Sequence, residues 1–439
     1  MLSPISRRDW LRFAGVTGCL GTSWMRAFAA DAASHPQRKR SCILLWMSGG
    51  PSQTDTFDLK PGHVHGGPIK PIDTSVPGIR IGEHFPKLAT QMKHLAPVRS
   101  MSTKEGDHSR ATFLLRTGNL PQGAIEFPAF GSLVAKELAR DYTDLPQFVS
   151  ISPQRAVSQG AFSSGFLGPQ YAPMFVADGV GFAVGPDVDG LLKVQDLDPA
   201  RGIKRDQADN RIDLLKDLEA KFLSERPGVG TESHRAAYDQ AVRLMRSEAA
   251  KTFNLNLESA KLRDRYGNNV FGQGCLLARR LVERGVPFVE VTLSNVANGT
   301  WDSHNENFDQ VKNLCAVLDP AWSTLMEDLN DRGLLDTTTV VWMGEFGRTP
   351  KINAQKGRDH FPNAWSVVVG GGGINGGQVV GKTSRDGMTV DDRPTNVPDL
   401  LATVCMGLGI DPNKQNLSNI NRPIRIVDRQ ANPIKELVR

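Results

Sequence analysis

Ser41-Cys42-Ile43-Leu44-Leu45-Trp46-Met47 is an unbroken apolar run that stops at Gly49-Gly50-Pro51. A run with no polar alternation reads as a strand buried on both faces, the signature of a parallel sheet, with a loop at its carboxyl end. Similar runs recur at residues 98–101, 146–152, 287–293, 337–343 and 365–370. Between them, residues 85–94, 109–116, 307–332 and 399–407 have helical spacing, the last ending before Gly409. A Gly/Pro-rich stretch reaches residue 80, and a Gly/Pro/aromatic loop region spans 160–185. Residues 205–282 are charged, Leu/Ala-rich and helical, broken at Pro227-Gly228 and near Tyr266-Gly267, and read as a helical insertion. Strands alternating with helices predict an α/β fold, a mostly parallel central sheet covered on both faces. In such sheets the ligand site lies beyond the carboxyl ends of the strands.

Charge narrows the partners. The chain has 439 residues with 52 Lys+Arg and 47 Asp+Glu, a formal +5. Seven basic and two acidic groups lie in the first 40 residues, and the remainder holds 45 of each sign. A balanced body offers no footprint for a phosphate backbone, so nucleic acid is not an expected partner. At 39% hydrophobic and 23% charged, the chain can bury a large core. No apolar stretch is long enough for a spanning helix in the mature chain.

The first residues read as an address. Ser6-Arg7-Arg8-Asp9-Trp10-Leu11-Arg12 is a twin-arginine pair, followed by a weakly apolar run and the small-x-small site Ala27-Phe28-Ala29. This predicts a twin-arginine export signal over residues 1–30, a basic linker over 31–40, and a single domain over 41–439. The expected partner during export is the twin-arginine translocase, and the expected location is periplasmic or extracellular. Val16-Thr17-Gly18-Cys19 also fits a lipoprotein box, which would anchor the chain through Cys19. The remaining cysteines, Cys42, Cys275, Cys315 and Cys405, lack Cys-x-x-Cys pairing and are expected to be buried thiols.

Polar clusters follow the strand candidates: residues 49–58, Gly106-Asp107-His108-Ser109-Arg110, Trp301-Asp302-Ser303-His304-Asn305, Gly344-Glu345-Phe346-Gly347-Arg348 and Gly357-Arg358-Asp359-His360-Phe361. Asp302 and His304 are two apart, wrong for one helix face but workable in an extended turn where both side chains reach one ion. Imidazole with carboxylate suits Zn, Mn or Fe, and carboxylate with water suits Mg or Ca. Arg110, Arg348 and Arg358 are candidate clamps for a tetrahedral oxyanion, or partners for Asp107, Glu345 and Asp359. Gly370-Gly371-Gly372-Gly373 lacks the Lys-Ser/Thr of a phosphate loop and reads as a bend.

Residues 45–58, Trp301-Asp302-Ser303-His304, residues 342–350 and residues 357–362 resemble the signature blocks of the domain-of-unknown-function 1501 family, over essentially the whole chain from residue 41. Those proteins are exported and are similar to sulfatases and alkaline phosphatases. The resemblance implies an alkaline-phosphatase-like three-layer α/β/α sandwich and a mono- or dinuclear metal centre. It implies that Asp302, His304 and His360 are metal ligands, that Glu345 matches an acidic ligand, and that His108 stands at the nucleophile position. Ser48 occupies the place of a first-strand Asp ligand, so Asp55 or Asp58 would substitute. Phe346 replaces a ligand His, and no Cys-x-Pro-Ser-Arg is present, which excludes a formylglycine mechanism.

The expectation is an exported hydrolase of anionic small-molecule or glycan esters, phosphate or sulfate, that uses a divalent metal (Zn, Mn, Ca or Mg). Asp302, His304 and His360 would bind it, with Glu345 and Asp55 contributing to it or to a second ion. Arg110 and Arg348 would clamp the anion, and His108 would act as nucleophile or general acid/base. Attack by Ser109, or a metal-activated hydroxide with no covalent step, stays open. The alternative is a catalytically inactive relative that binds an anionic glycan or a cell-surface partner.

Overall fold

The apolar run becomes β1, Ser41–Trp46, buried at every position. In this computed structural model, which describes residues 40–139, 144–181, 183–185, 188–194, 197, 199–225 and 229–439, six more strands complete the sheet. They are β2 Leu95–Met101, β3 Phe148–Ile151, β4 Met174–Val176, β5 Phe288–Thr292, β6 Thr338–Met343 and β7 Trp365–Gly371. Their order is β2-β7-β6-β1-β5-β3-β4. β1 pairs in parallel with β5 and β6, and β3 with β5 and β4. β7 runs antiparallel to both its neighbours, β6 and β2.

Alternation along β1 divides the core in two. Ile43, Leu45 and Met47 join one apolar cluster, and Cys42, Leu44 and Trp46 join the other. The first is covered by α5, Val270–Glu283, and α6, Asn307–Asp331. The second is covered by α1, His108–Thr117, α2, Phe130–Leu138, and α7, Val397–Gly407. The result is a three-layer α/β/α sandwich. Each buried Leu, Ile or Val on the sheet contributes about 1.5–3 kcal/mol of transfer free energy, which is why sequence runs with no polar residue become the inner strands.

Two expectations need correction. Residues 85–94 form not an α-helix but 3-10 turns over Leu88–His94, capped from α6 by Asp319, whose carboxylate accepts the Leu88 and Lys87 amides at 2.8 and 3.2 Å. The helical segment also ends as an insertion earlier than residue 282. Its outlying part is α3, Arg205–Glu225, and α4, Val229–Arg246, and α3 leaves Leu214 and Leu218 exposed. α5 is instead a covering helix of the sheet. Its charges disguise this, because Arg279 is buried and neutralised by Glu258, Glu283 and Asp328.

The export signal, the lipoprotein box and the Pro227-Gly228 break lie outside the described residues. Cys42, Cys275, Cys315 and Cys405 are buried free thiols, as expected. The four-glycine run closes β7 as a bend, with the Gly372 amide donating to Thr338 O. Among the described residues no helix is long and apolar enough to cross a membrane.

Candidate metal centre

The polar clusters converge at the carboxyl ends of β1, β5 and β6. Contact between their loops requires glycine at the tip of β1. Gly49 has φ +116°, and a Cβ there would stand 2.6 Å from the Asp302 amide nitrogen. The Gly49 amide donates to Glu345 Oε1 at 2.8 Å, tying the β1 loop to the β6 loop. The loop before α6 is stitched to residues 353–358 by backbone bonds, among them the Arg358 amide to Ser303 O at 3.0 Å.

Within that loop the side chains alternate. Trp301 and Ser303 are buried, while Asp302 and His304 face outward on the same side. The two-residue spacing that fails on a helix is accommodated by two successive three-residue turns, the Ser303 amide donating to Trp301 O at 2.9 Å and the His304 amide to Asp302 O at 3.2 Å. A two-residue antiparallel ladder, Gly347–Arg348 against His360–Phe361, pairs Arg348 with His360 across from them. His108 arrives as the first residue of α1, whose N-cap is Asp107.

Each of three imidazoles has Nδ1 against an oxygen acceptor. His108 Nδ1 lies 2.7 Å from Glu345 Oε1, His304 Nδ1 2.9 Å from Asp359 Oδ1, and His360 Nδ1 2.8 Å from the Gly106 carbonyl. An acceptor at Nδ1 places the proton there and leaves the lone pair on Nε2. All three Nε2 atoms point at one atom, Asp302 Oδ1: His108 at 3.2 Å, His304 at 3.1 Å and His360 at 3.3 Å. His304 Nε2 and His360 Nε2 are 3.0 Å apart. Arg348 supplies one positive charge beside these atoms, and a cation among the Nε2 atoms would meet their lone pairs and the carboxylate together. The edge of a tetrahedron with metal–ligand bonds of 2.0–2.1 Å is roughly 3.3 Å, close to the separations among Asp302 Oδ1, His304 Nε2 and His360 Nε2 and to that between Asp302 Oδ1 and His108 Nε2. His108, Asp302 and His360 form the single group of three or more such donors within ligation reach among the described residues; His304 is not part of that group, its Nε2 lying near Asp302 and His360.

The electrostatics agree. Burial opposes ionisation of Asp302, but contacts from His108, His360 and Arg348 outweigh it and hold the carboxyl well below the usual range. Burial also works against a charged His108, yet contacts with Asp302 and Glu345 win and push it up to about 9. A field that favours positive charge at Nε2 favours a metal ion there as well. Phe346 closes one side, its ring 4.9 Å from that of His108 and 4.7 Å from that of His360.

The other expected site residues fall differently. Glu345 is fully buried and stands behind His108, where it orients the ring. His108 Nδ1 is held by Glu345, and its Nε2 faces Asp302 Oδ1 at 3.2 Å with no hydrogen-bond partner, which places it beside the other candidate donors. Asp55 is not brought to the cluster. Its carboxylate takes a two-bond fork from Arg358 at 2.7 and 3.0 Å, plus Ser52 Oγ at 2.6 Å and Asn307 Nδ2 at 2.8 Å. Arg358 turns its remaining donors to the carbonyls of His65, Thr349 and Pro350. Arg348, also fully buried, reaches Gly49 O, Gly50 O, Arg358 O, His304 Nε2 and Asp302 Oδ1, the last at 2.5 Å. All five N–H groups of Arg358 are engaged, whereas four of those of Arg348 meet oxygens and the fifth faces His304 Nε2 at 3.4 Å. Arg110 is half-exposed and forks Glu105 at 2.8 and 3.0 Å, and Ser109 is exposed beside it. The orienting acceptors Asp359 and Gly106 O were not singled out as such from sequence, although the Asp359-His360 neighbourhood carried the signal.

Residues 39–438 match the model of a family described as "Protein of unknown function (DUF1501)". No curated protein matches the sequence. Similar solved structures include the PsFucS1 sulfatase from Pseudoalteromonas sp., at 14% identity and TM-score 0.40, covering 92% of this chain and 72% of that one. A protein in the alkaline phosphatase superfamily from Vibrio parahaemolyticus is similar at 11% identity and TM-score 0.39, covering 90% of this chain and 76% of that one. The lipoteichoic acid synthase LtaP from Listeria monocytogenes is similar at 9% identity and TM-score 0.40, covering 88% and 78%.

Proposed function

The chain belongs to the DUF1501 family, and from its own geometry we propose that it is an exported, metal-dependent hydrolase of phosphate or sulfate esters. The observation that carries the reading is the convergence of three imidazole Nε2 atoms on Asp302 Oδ1. His108, His304, His360 and Asp302 would hold the ion. Three nitrogens and one carboxylate suit zinc first and manganese second, and suit the oxygen-seeking Ca and Mg poorly. When bound, the ion would supply a Lewis acid to an ester oxygen or to water, provided that it takes a fifth ligand beyond these four donors.

The protein's own groups prepare that chemistry. Glu345, Asp359 and the Gly106 carbonyl keep the three Nδ1 protons in place, so that the Nε2 atoms face the centre. Arg348 fixes Asp302 and offsets part of its charge. Phe346 keeps water off the inner side of the rings. Ser109 and Arg110, on the exposed first turn of α1 next to His108, are the groups assigned to the substrate, Arg110 exchanging Glu105 for the anion. Export is supported by the twin-arginine pattern Arg7-Arg8 and the Ala27-Phe28-Ala29 site.

One observation favours the second reading, a non-catalytic binder of an anionic glycan: all donors of Arg358 and four of the five of Arg348 are bonded to oxygens inside the protein. A panel of aryl phosphates and sulfates assayed with added Zn and Mn separates the two. Turnover that is lost in His304→Ala and His360→Ala supports the hydrolase. Glycan binding without turnover supports the binder, and a protein with no affinity for either metal contradicts the reading.

A further inference from the structure

The loop after β1 runs straight into the site, yet neither of its acids belongs to the donor cluster: Asp55 pairs with Arg358 and Asp58 with Lys60. What the loop does bring is Gln53. This side chain is buried, and its carboxamide lies along the backbone of Arg348, Nε2 donating to Arg348 O at 2.8 Å and Oε1 accepting the Arg348 amide at 2.9 Å. Those are the two groups that a third strand would meet. The segment Gly347–Arg348 has its ladder partner, His360–Phe361, on one edge, and the carboxamide takes the place of a peptide group on the other. A two-residue ladder has little stability of its own. Arg348 is also fully buried, so without Gln53 its amide and carbonyl would lack partners inside the protein. The fit is close, since a Cβ on Gly347 would strike both Gln53 Oε1 and Trp365 Cβ.

We infer that Gln53 is a positioning residue of the metal centre, docked as a surrogate strand that fixes the Arg348–His360 pair. Those two are cross-strand partners, and both side chains reach Asp302 Oδ1. Fixing Arg348 therefore sets His360 Nε2 and the carboxylate against each other. The same loop grips the other strand, because Asp55 forks Arg358, two residues before His360. The inference rests on the metal-centre reading above and deepens it by giving the β1 loop a task other than ligation.

The test compares two variants of the full chain. Gln53→Met keeps the length of the side chain and removes both bonds. Thr56→Val alters an equally buried residue of the same loop, whose hydroxyl bonds Ser52 O and not the ladder. Urea unfolding gives the stability of each, and calorimetric titration gives its affinity for zinc. Gln53→Met is expected to bind zinc about 10–100-fold more weakly, and Thr56→Val to bind it as wild type does, even where it is the less stable of the two. In nitrogen NMR of the zinc-loaded protein with isotope-labelled histidine, His360 Nε2 is expected to lose its metal-bound shift in Gln53→Met while His108 and His304 keep theirs. Wild-type affinity in Gln53→Met, an equal loss in Thr56→Val, or a His360 that stays metal-bound overturns the inference and leaves the metal centre standing. A wild-type chain that binds no zinc overturns the metal-centre reading, and the inference with it. If Gln53→Met does not fold, amide hydrogen exchange of the wild type decides: the Arg348 amide is expected to be protected, and free exchange there overturns the inference.

Discussion

Glu345 bonds the Gly49 amide and His108 Nδ1 through one oxygen while wholly buried, so its role is to hold a ring and a loop. Carboxylates behind ligand histidines typically raise metal affinity 10–100-fold. Glu345→Gln is therefore expected to weaken zinc binding by about that factor in a calorimetric titration. Unchanged affinity would show that His108 does not reach the metal. His304→Ala and His360→Ala should each remove a donor and abolish tight binding, whereas Ser109→Ala should leave metal affinity intact, since its hydroxyl lies outside the donor set. At this scale the sequence pointed to Asp302, His304 and His360, which the fold brings together, because each sits in a Gly/Asp-flanked block after a strand. It did not show that Asp55 belongs to Arg358, a partner 303 residues away. Nor did it show that His108 turns inward to Glu345, since the register between distant loops is set by tertiary packing.

At the scale of elements, the strands were legible because apolar runs have few other places to go. The direction of β7 was not, because a buried strand reads alike in either orientation. α5 was misassigned because Arg279 and Arg280 look like surface charge until Glu258 and Asp328 are placed beside them. The β1 tip makes its own prediction. Gly49 combines φ +116° with a backbone neighbour that a Cβ would strike. Gly49→Ala should cost roughly 1–3 kcal/mol in urea unfolding and weaken zinc binding, because the displaced group is the Asp302 amide. A variant as stable as wild type would mean that the β1 and β5 loops do not meet as described.

Across the whole molecule, the two helices on one face are joined by ions as well as by apolar packing. Glu258 contacts Arg279, Arg280 and Arg332, and Asp328 contacts Arg279 and Arg332. Burial would raise the Glu258 carboxyl, but the neighbouring Arg279 and Arg280 outweigh it and hold it low. A depressed carboxyl stabilises the fold above its unfolded value of about 4.3, and the contribution disappears as pH falls through the folded value. Glu258→Gln should thus lose roughly 1–2 kcal/mol at neutral pH and show a shallower acid limb in thermal unfolding. An identical acid limb would remove Glu258 from the network. The same covering layer supports the strands whose loops carry the site, so the fold's stability and the centre's geometry share one scaffold. The central claim is the four-donor metal centre, and it is tested most directly by anomalous scattering at the zinc edge from crystals of the zinc-loaded protein. The account predicts one peak bonded to Asp302 Oδ1 and to the Nε2 atoms of His108, His304 and His360. An empty map at that position, or a peak held by other residues, would contradict it.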